Sequence, residues 1–159
     1  ATTRAADVGR MTGLNFSSWY RQDEGVFYVD GDSYGNAGSQ TFISADDGTR
    51  NNRIQLRFNG VSAISSVIAN GDVVVGTGTT QAGSFPGYGK AAVAYSASAS
   101  AVYANNGVPV AMSALVVPTV NQLVIGSSVS TGPLNGHVRS ISYYPKRLSN
   151  AELQAMTTP

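Results

Sequence analysis

The chain has 159 residues, no cysteine, a net charge of +1 and only 12% charged residues. That length suits one domain, residues 1–159, with a hydrophobic core of its own. The weak charge gives no basic field for nucleic acid or an anionic membrane, and the missing cysteines exclude a disulfide framework and thiolate chemistry.

No stretch is long and apolar enough to cross a bilayer as a helix, and the first residues lack the apolar run of a signal peptide. The start at alanine suggests an excised or processed fragment of a longer polypeptide, and removal of one methionine would look the same. Residues 1–11, polar and small, read as an edge strand that brings the two ends of the domain together. Phe16, Trp19 and Tyr20 lead to Val26-Phe27-Tyr28-Val29, a short apolar run of the kind found in a strand covered on both faces. Residues 30–40, DGDSYGNAGSQ, are rich in turn formers without periodicity and predict an exposed loop. Residues 41–45 resume a strand, and Asp46-Asp47-Gly48 reads as a turn.

Residues 53–58 alternate without error, sending Ile54, Leu56 and Phe58 to one face and Arg53, Gln55 and Arg57 to the other, which meets water or a ligand. Asn-Gly pairs follow at Asn59-Gly60, Asn70-Gly71, Asn106-Gly107 and Asn135-Gly136, a strong short-range hairpin signal. Residues 67–75 and 101–112 are the two clearest hairpins. Residues 77–88, TGTTQAGSFPGY, predict a second long loop, and 91–98 and 122–126 further core strands.

The last segment, residues 134–156, is the best specified locally. Ile141 and Tyr143 alternate, but Val138 lies three residues earlier, so a constant face demands a bulge near Arg139-Ser140. Pro145 ends that strand. Ser149 and Glu152 then form a capping box, with Leu148 and Leu153 as its hydrophobic staple. Many short strands with one late helix and no repeat define an all-β fold, an antiparallel two-sheet sandwich with one short C-terminal helix.

Chemistry-bearing patterns are sparse. His137, the single histidine, sits between a turn glycine and the closing strand, a structural position rather than a triad member. There is no Gly-x-Ser-x-Gly elbow, no histidine cluster for zinc, and no dinucleotide fingerprint around Gly76 and Gly78. Glycoside hydrolysis needs two carboxyl groups across the scissile bond; of the two glutamates, Glu152 is committed to the cap and Glu24 stands alone. Asp46 and Asp47 are adjacent and fit a turn that accepts backbone hydrogen bonds. Asp30 and Asp32 begin like a calcium loop, but Tyr34 and Thr41 occupy positions that should carry oxygen ligands.

Sugar binding asks for aromatic faces and a few planar polar groups on a rigid scaffold. The residues that could supply them are Trp19, Tyr34, Tyr88, Asp46, Asp47, Arg53 and Arg57. Trp19 alternates between core packing and stacking; Tyr34 and Tyr88 fall in glycine-rich loops; Arg53 and Arg57 could grip acidic sugars or face water.

The wording LNGHVRSISYYPKRLSNAELQ at residues 134–154, with ATTRAADVGRMTGLNFSSWY at 1–20 and DDGTRNNRIQLRF at 46–58, resembles laminin G-like, concanavalin A-like jelly-roll domains. In particular it resembles those at the C-terminal end of tailed-phage tail fibre and tailspike proteins. The resemblance implies a jelly roll, a virion and extracellular location, and a non-catalytic module that recognises bacterial surface polysaccharide. It is compatible with a homotrimer in the parent fibre and with a looser calcium site at Asp30 and Asp32; no other cofactor is implied. Two other readings are a structural domain that caps or trimerises a fibre and, less well supported by the few carboxylates, a polysaccharide depolymerase.

Overall fold

The computed structural model describes residues 9–34, 38–60, 63–81, 87–104, 108, 110–112 and 116–158. Its elements are β1 (Gly9–Thr12), α1 (Leu14–Ser17), β2 (Glu24–Ser33), β3 (Gln40–Asp46), β4 (Arg53–Phe58), β5 (Ala63–Asn70), β6 (Val73–Gln81), β7 (Gly87–Ser96), β8 (Ser100–Ala104), β9 (Val110–Met112), β10 (Gln122–Ile125), β11 (Val138–Tyr144) and α2 (Asn150–Met156). They form two antiparallel sheets, a six-stranded one in the order β1-β10-β3-β4-β5-β6 and a five-stranded one in the order β11-β2-β7-β8-β9. The all-β sandwich expected from the strand pattern is the observed fold.

The core lies between the sheets. Ile54, Leu56 and Phe58 of β4, Phe27 and Val29 of β2, and Val93 and Tyr95 of β7 all belong to one buried cluster. Each such side chain contributes about 1.5–3 kcal/mol of burial free energy. A second, smaller cluster lies on the far side of the five-stranded sheet, where Leu153 of α2 packs on Val26, Ala92, Ala94, Ala101 and Tyr103. Hence the run Val26 to Val29 is apolar throughout: Phe27 and Val29 face the sandwich, Val26 faces the helix.

The closing segment folds as its residues dictate. The register slips between Val138 and Ser140 opposite β2, so Arg139 is the bulged residue. Ser149 accepts from the Glu152 backbone N–H while the Glu152 carboxylate accepts from the Ser149 N–H at 2.7 Å, a complete capping box. Leu148 packs against the same cluster as Leu153, completing the staple. Tyr143 is half-buried in the main core and Tyr144 is exposed.

Several loop boundaries differ from expectation. β2 continues through Asp30 and Asp32 to Ser33, because residues 24–33 pair without interruption with 87–96 of β7. Likewise β6 runs on to Gln81 opposite Ala63, and Tyr88 already belongs to β7. In residues 30–33, Asp-Gly-Asp-Ser, the ladder overrides low local strand propensity, whereas the threonines of residues 77–81 favour a strand by themselves. Residues 35–37 and 82–86 of the two expected loops, with residues 1–8 and the Asn106-Gly107 turn, lie outside the described residues.

At the β5–β6 hairpin, positive φ falls on Gly71 (59°) and Asp72 (65°), one residue later than an Asn70-Gly71 turn would place it. Asn135-Gly136 is no hairpin: it joins β10 to β11, which belong to different sheets. Gly136 is required there for contact, since a Cβ would lie 2.1 Å from the Asp32 carbonyl oxygen. β1 is an edge strand on β10, in the other sheet from β11. The ends meet across the layers, where Met11 shares a cleft with Ile141 and Tyr143. A short helix, α1, was not foreseen; it buries Phe16 at one end of the sandwich.

Candidate functional site

β4 is flanked by β3 and β5 deep inside the six-stranded sheet, so its outward residues Arg53, Gln55 and Arg57 line up along the middle of the outer face. Consecutive members of this row are about 7 Å apart along the strand. The face is not simply open. Gln55 is fully buried, its side-chain amide nitrogen lying within hydrogen-bond reach of a cluster of three hydroxyls, Thr41 at 2.7 Å, Ser128 at 2.9 Å and Thr131 at 2.8 Å. These bonds lay residues 126–133 across the sheet as a wall.

Arg53 is 6% exposed. Its guanidinium donates to the Arg50 carbonyl, and its Nε has no partner among the described residues. Burial lowers its pKa, and so do the neighbouring cations Arg50 and Arg57, while Asp72 and Asp46 act in the opposite sense. Arg57 differs. It is half-buried, its Nε donates to the Ser65 hydroxyl at 3.0 Å, and burial lowers its pKa. Among the described residues no carboxylate lies within ion-pair reach of Arg57. The serine bond holds the Arg57 guanidinium against β5 as a cation partly stripped of water, with no counter-charge among the described residues.

The other named residues are scattered. Asp46 is buried and spent: it accepts from the Gly48 N–H at 2.9 Å, the Ser44 hydroxyl at 2.7 Å and the Gln122 amide. Asp47 accepts from Thr49 and Asn52; burial raises its pKa, and these bonds more than offset that, holding it below the usual carboxylate value. Both belong to the turn framework. Trp19 packs edge-on against Phe16 at 5.0 Å and Tyr143 at 4.9 Å, and its indole N–H donates to the Asn15 carbonyl. It therefore plugs the α1 end of the sandwich. A cavity of about 570 Å³ opens beside this plug, lined by Phe16, Tyr20 and Val120 without a charged side chain.

Tyr34 is 50% exposed and its hydroxyl donates to Asp32 at 3.3 Å. Asp32 also accepts from the His137 backbone N–H at 2.7 Å and lies 3.1 Å from its Nδ1. His137 thus ties the β10–β11 connection to β2. Burial raises the Asp32 pKa, but the His137 and Tyr34 contacts outweigh it and hold the carboxyl low. Asp30 accepts from the Tyr88 hydroxyl at 2.8 Å, on the opposite sheet from Arg57. Among the described residues no three acidic, histidine or cysteine side chains gather, and the Asp30 and Asp32 carboxylates are engaged by Tyr88, Tyr34 and His137. Glu24 accepts from the Arg147 N–H at 3.0 Å and Glu152 caps α2, which places both glutamates in structural roles.

Gln55, Ser65 and the hydroxyls of Thr41, Ser128 and Thr131 were missed as site-forming residues. The alternation of residues 53–57 placed Gln55 on the outer face, but no local pattern shows that residues 126–133 fold over it.

The architecture is that of the jelly-roll sandwiches found as carbohydrate-binding modules of sialidases. The Ruminococcus gnavus IT-sialidase CBM40 bound to α2,3 sialyllactose superposes with a TM-score of 0.73 at 16% identity, covering 90% of this chain and 86% of that one. The same module bound to α2,6 sialyllactose gives 0.70 at 18% identity, covering 92% and 91%. The leech intramolecular trans-sialidase gives 0.70 at 16% identity, with 86% of this chain matching 23% of that enzyme. No family model and no curated protein matches the sequence.

Proposed function

We propose that this domain is a non-catalytic carbohydrate-binding module whose outer six-stranded face takes an acidic glycan on Arg57. The observation that carries the reading is the half-buried, serine-held guanidinium without a carboxylate partner among the described residues. Burying a cation unpaired is unfavourable, and a bidentate carboxylate relieves it with charge-assisted hydrogen bonds. The wall of residues 126–133 gives the face one closed side, and the structural neighbours described as binding sialyllactose support a glycan ligand. Both glutamates are engaged in framework contacts, which favours binding over hydrolysis.

In this proposal the parent protein is a phage tail fibre or tailspike, located in the virion outside the cell, and the ligand is a charged bacterial surface polysaccharide. A shallow site binds weakly per copy, and several copies on one particle, as in a homotrimeric fibre, supply avidity. The test is an array of acidic bacterial polysaccharide fragments beside their carboxyl-reduced counterparts. Binding to acidic fragments that disappears on carboxyl reduction is expected. Equal binding to both forms, or release of reducing ends during incubation, would overturn the reading.

A further inference from the structure

The cavity of about 570 Å³ beside the Trp19 plug takes no part in the Arg57 face. We infer that it is a second binding site, for one uncharged pyranose unit, whose hydroxyls are met by Thr12, Ser17 and Asn121.

The strand ladders fix its position. Thr12 pairs with Gln122, Gln122 with Asp46, and Asp46 with Arg53, so the cavity lies at the Arg53 end of the sandwich. Arg57 stands further along β4, about 13 Å beyond Arg53.

The walls are held in place by the fold itself. Gln22 engages both ends of its carboxamide with the facing segment: Nε2 donates to the Pro118 carbonyl, and Oε1 accepts from the Val120 N–H at 3.3 Å. Two phenols hold the Arg21 backbone, its carbonyl accepting from the Tyr95 hydroxyl at 2.7 Å and its N–H donating to the Tyr143 oxygen at 2.9 Å. The Asn121 N–H donates to the Asp46 carbonyl at 3.0 Å. Such preorganisation lowers the ordering cost of binding. The back wall is aromatic, with the Phe16 and Tyr20 rings stacked at 4.6 Å. The Tyr20 hydroxyl is buried, so this half-buried residue offers ring carbon to the cavity rather than its oxygen. At Gly13 an added Cβ would meet nothing within 4 Å, so the space over that turn is open.

The lining selects the occupant. Thr12, Ser17 and Asn121 are exposed, and their side chains have no hydrogen-bond partner among the described residues. Two hydroxyls and a carboxamide provide donors and acceptors together, as sugar hydroxyls require. No lining side chain is charged, and Arg21 and Asp23, charges adjacent in the chain to the lining residue Gln22, pair with each other at 2.9 Å. An ionic ligand would be desolvated there without a counter-charge. A wholly apolar one would strip water from three polar side chains and return no hydrogen bond. The volume falls within the range of about 300–1,000 Å³ usual for small-ligand sites, and an aromatic wall facing uncharged hydrogen-bonding groups suits a neutral sugar.

The test is an NMR titration of isotope-labelled protein with glucose, galactose, mannose, N-acetylglucosamine and rhamnose, each free and as its methyl glycoside. Methyl glucuronide and benzyl alcohol serve as the acidic and apolar comparisons. At least one neutral sugar should shift the backbone amides of Thr12, Ser17 and Asn121 and the Asn121 side-chain amide, with a dissociation constant of about a millimolar. Asn121→Ala should weaken that binding about tenfold. Ser17→Trp, which fills the mouth, should abolish it, with the amide spectrum still folded and acidic fragments still bound on the Arg57 face. A methyl glycoside bound as tightly as its free sugar identifies the end of a glycan chain as the source, and binding of the free sugar alone identifies a monosaccharide; either result supports the site. The inference is overturned if none of the neutral sugars moves these signals, or if benzyl alcohol alone does. It is overturned equally if methyl glucuronide binds as tightly as the best neutral glycoside, or if Asn121→Ala and Ser17→Trp both keep the parent affinity.

Discussion

Replacing Arg57 by methionine separates the two roles a half-buried cation can play. The side chain makes one hydrogen bond to Ser65 and has no acidic partner among the described residues. Losing that bond costs about 0.5–1.5 kcal/mol, and removing an uncompensated, partly desolvated charge returns a similar amount. Methionine also keeps the unbranched stem that lies on the sheet. Net stability should therefore stay within about 1 kcal/mol, or about 4 °C in Tm for a domain of this size, read by thermal unfolding. Binding behaves differently, since a hydrogen bond to a charged group is worth about 1.5–3 kcal/mol and its loss weakens affinity roughly ten- to a hundredfold. Calorimetric titration with the acidic fragment that binds best measures this term. Unchanged affinity would refute the assignment of Arg57 as the anchor. A stability loss above about 3 kcal/mol would show instead that the guanidinium is a structural keystone.

Three further outcomes follow from the framework. Gly136→Ala drives a Cβ to within 2.1 Å of the Asp32 carbonyl oxygen; overpacking of this kind costs about 1–3 kcal/mol, and denaturant unfolding should show a lower midpoint with an unchanged slope. Ser149→Ala removes the side-chain half of the capping box and should cost about 1 kcal/mol, with far-ultraviolet dichroism still native at room temperature. The Asp32 carboxyl is held below its ordinary value in the fold by the His137 and Tyr34 contacts that outweigh its burial, so its contribution is complete above the unfolded-state pKa of about 3.9 and disappears as pH falls through the lower folded value. Asp32→Asn should be less stable than the parent at neutral pH and should narrow that gap below about pH 4; a constant difference across the acid range would remove Asp32 from the explanation.

Legibility in the sequence followed the range of the interactions involved. The closing segment was readable to the residue, because a capping box, a staple and a bulge are decided within a few positions: Ser149, Glu152, Leu148, Leu153 and Arg139 each act as their spacing requires. The alternation of β4 was readable too, but not the fate of its polar face. What buries Gln55 is a segment more than seventy residues further along the chain, and no periodicity in residues 53–58 encodes it. The two glycine-rich stretches failed for a related reason. Asp30, Gly31, Asp32 and Gly78 are weak strand formers individually, yet each lies opposite a committed partner strand, and the ladder decides their conformation.

The same range of interaction explains why the sugar-binding candidates did not converge in sequence. On a sandwich, outward residues of successive strands belong to one of two faces pointing in opposite directions, and which face depends on which sheet each strand joins. Arg57 and Tyr88 both look outward from their strands, but β4 lies in one sheet and β7 in the other. Residues that read as fragments of one incomplete site therefore lie on two opposite faces of the sandwich. On one, Arg57 has no carboxylate partner among the described residues and lies beside a hydroxyl-pinned wall; on the other, the Tyr88 hydroxyl is held by Asp30.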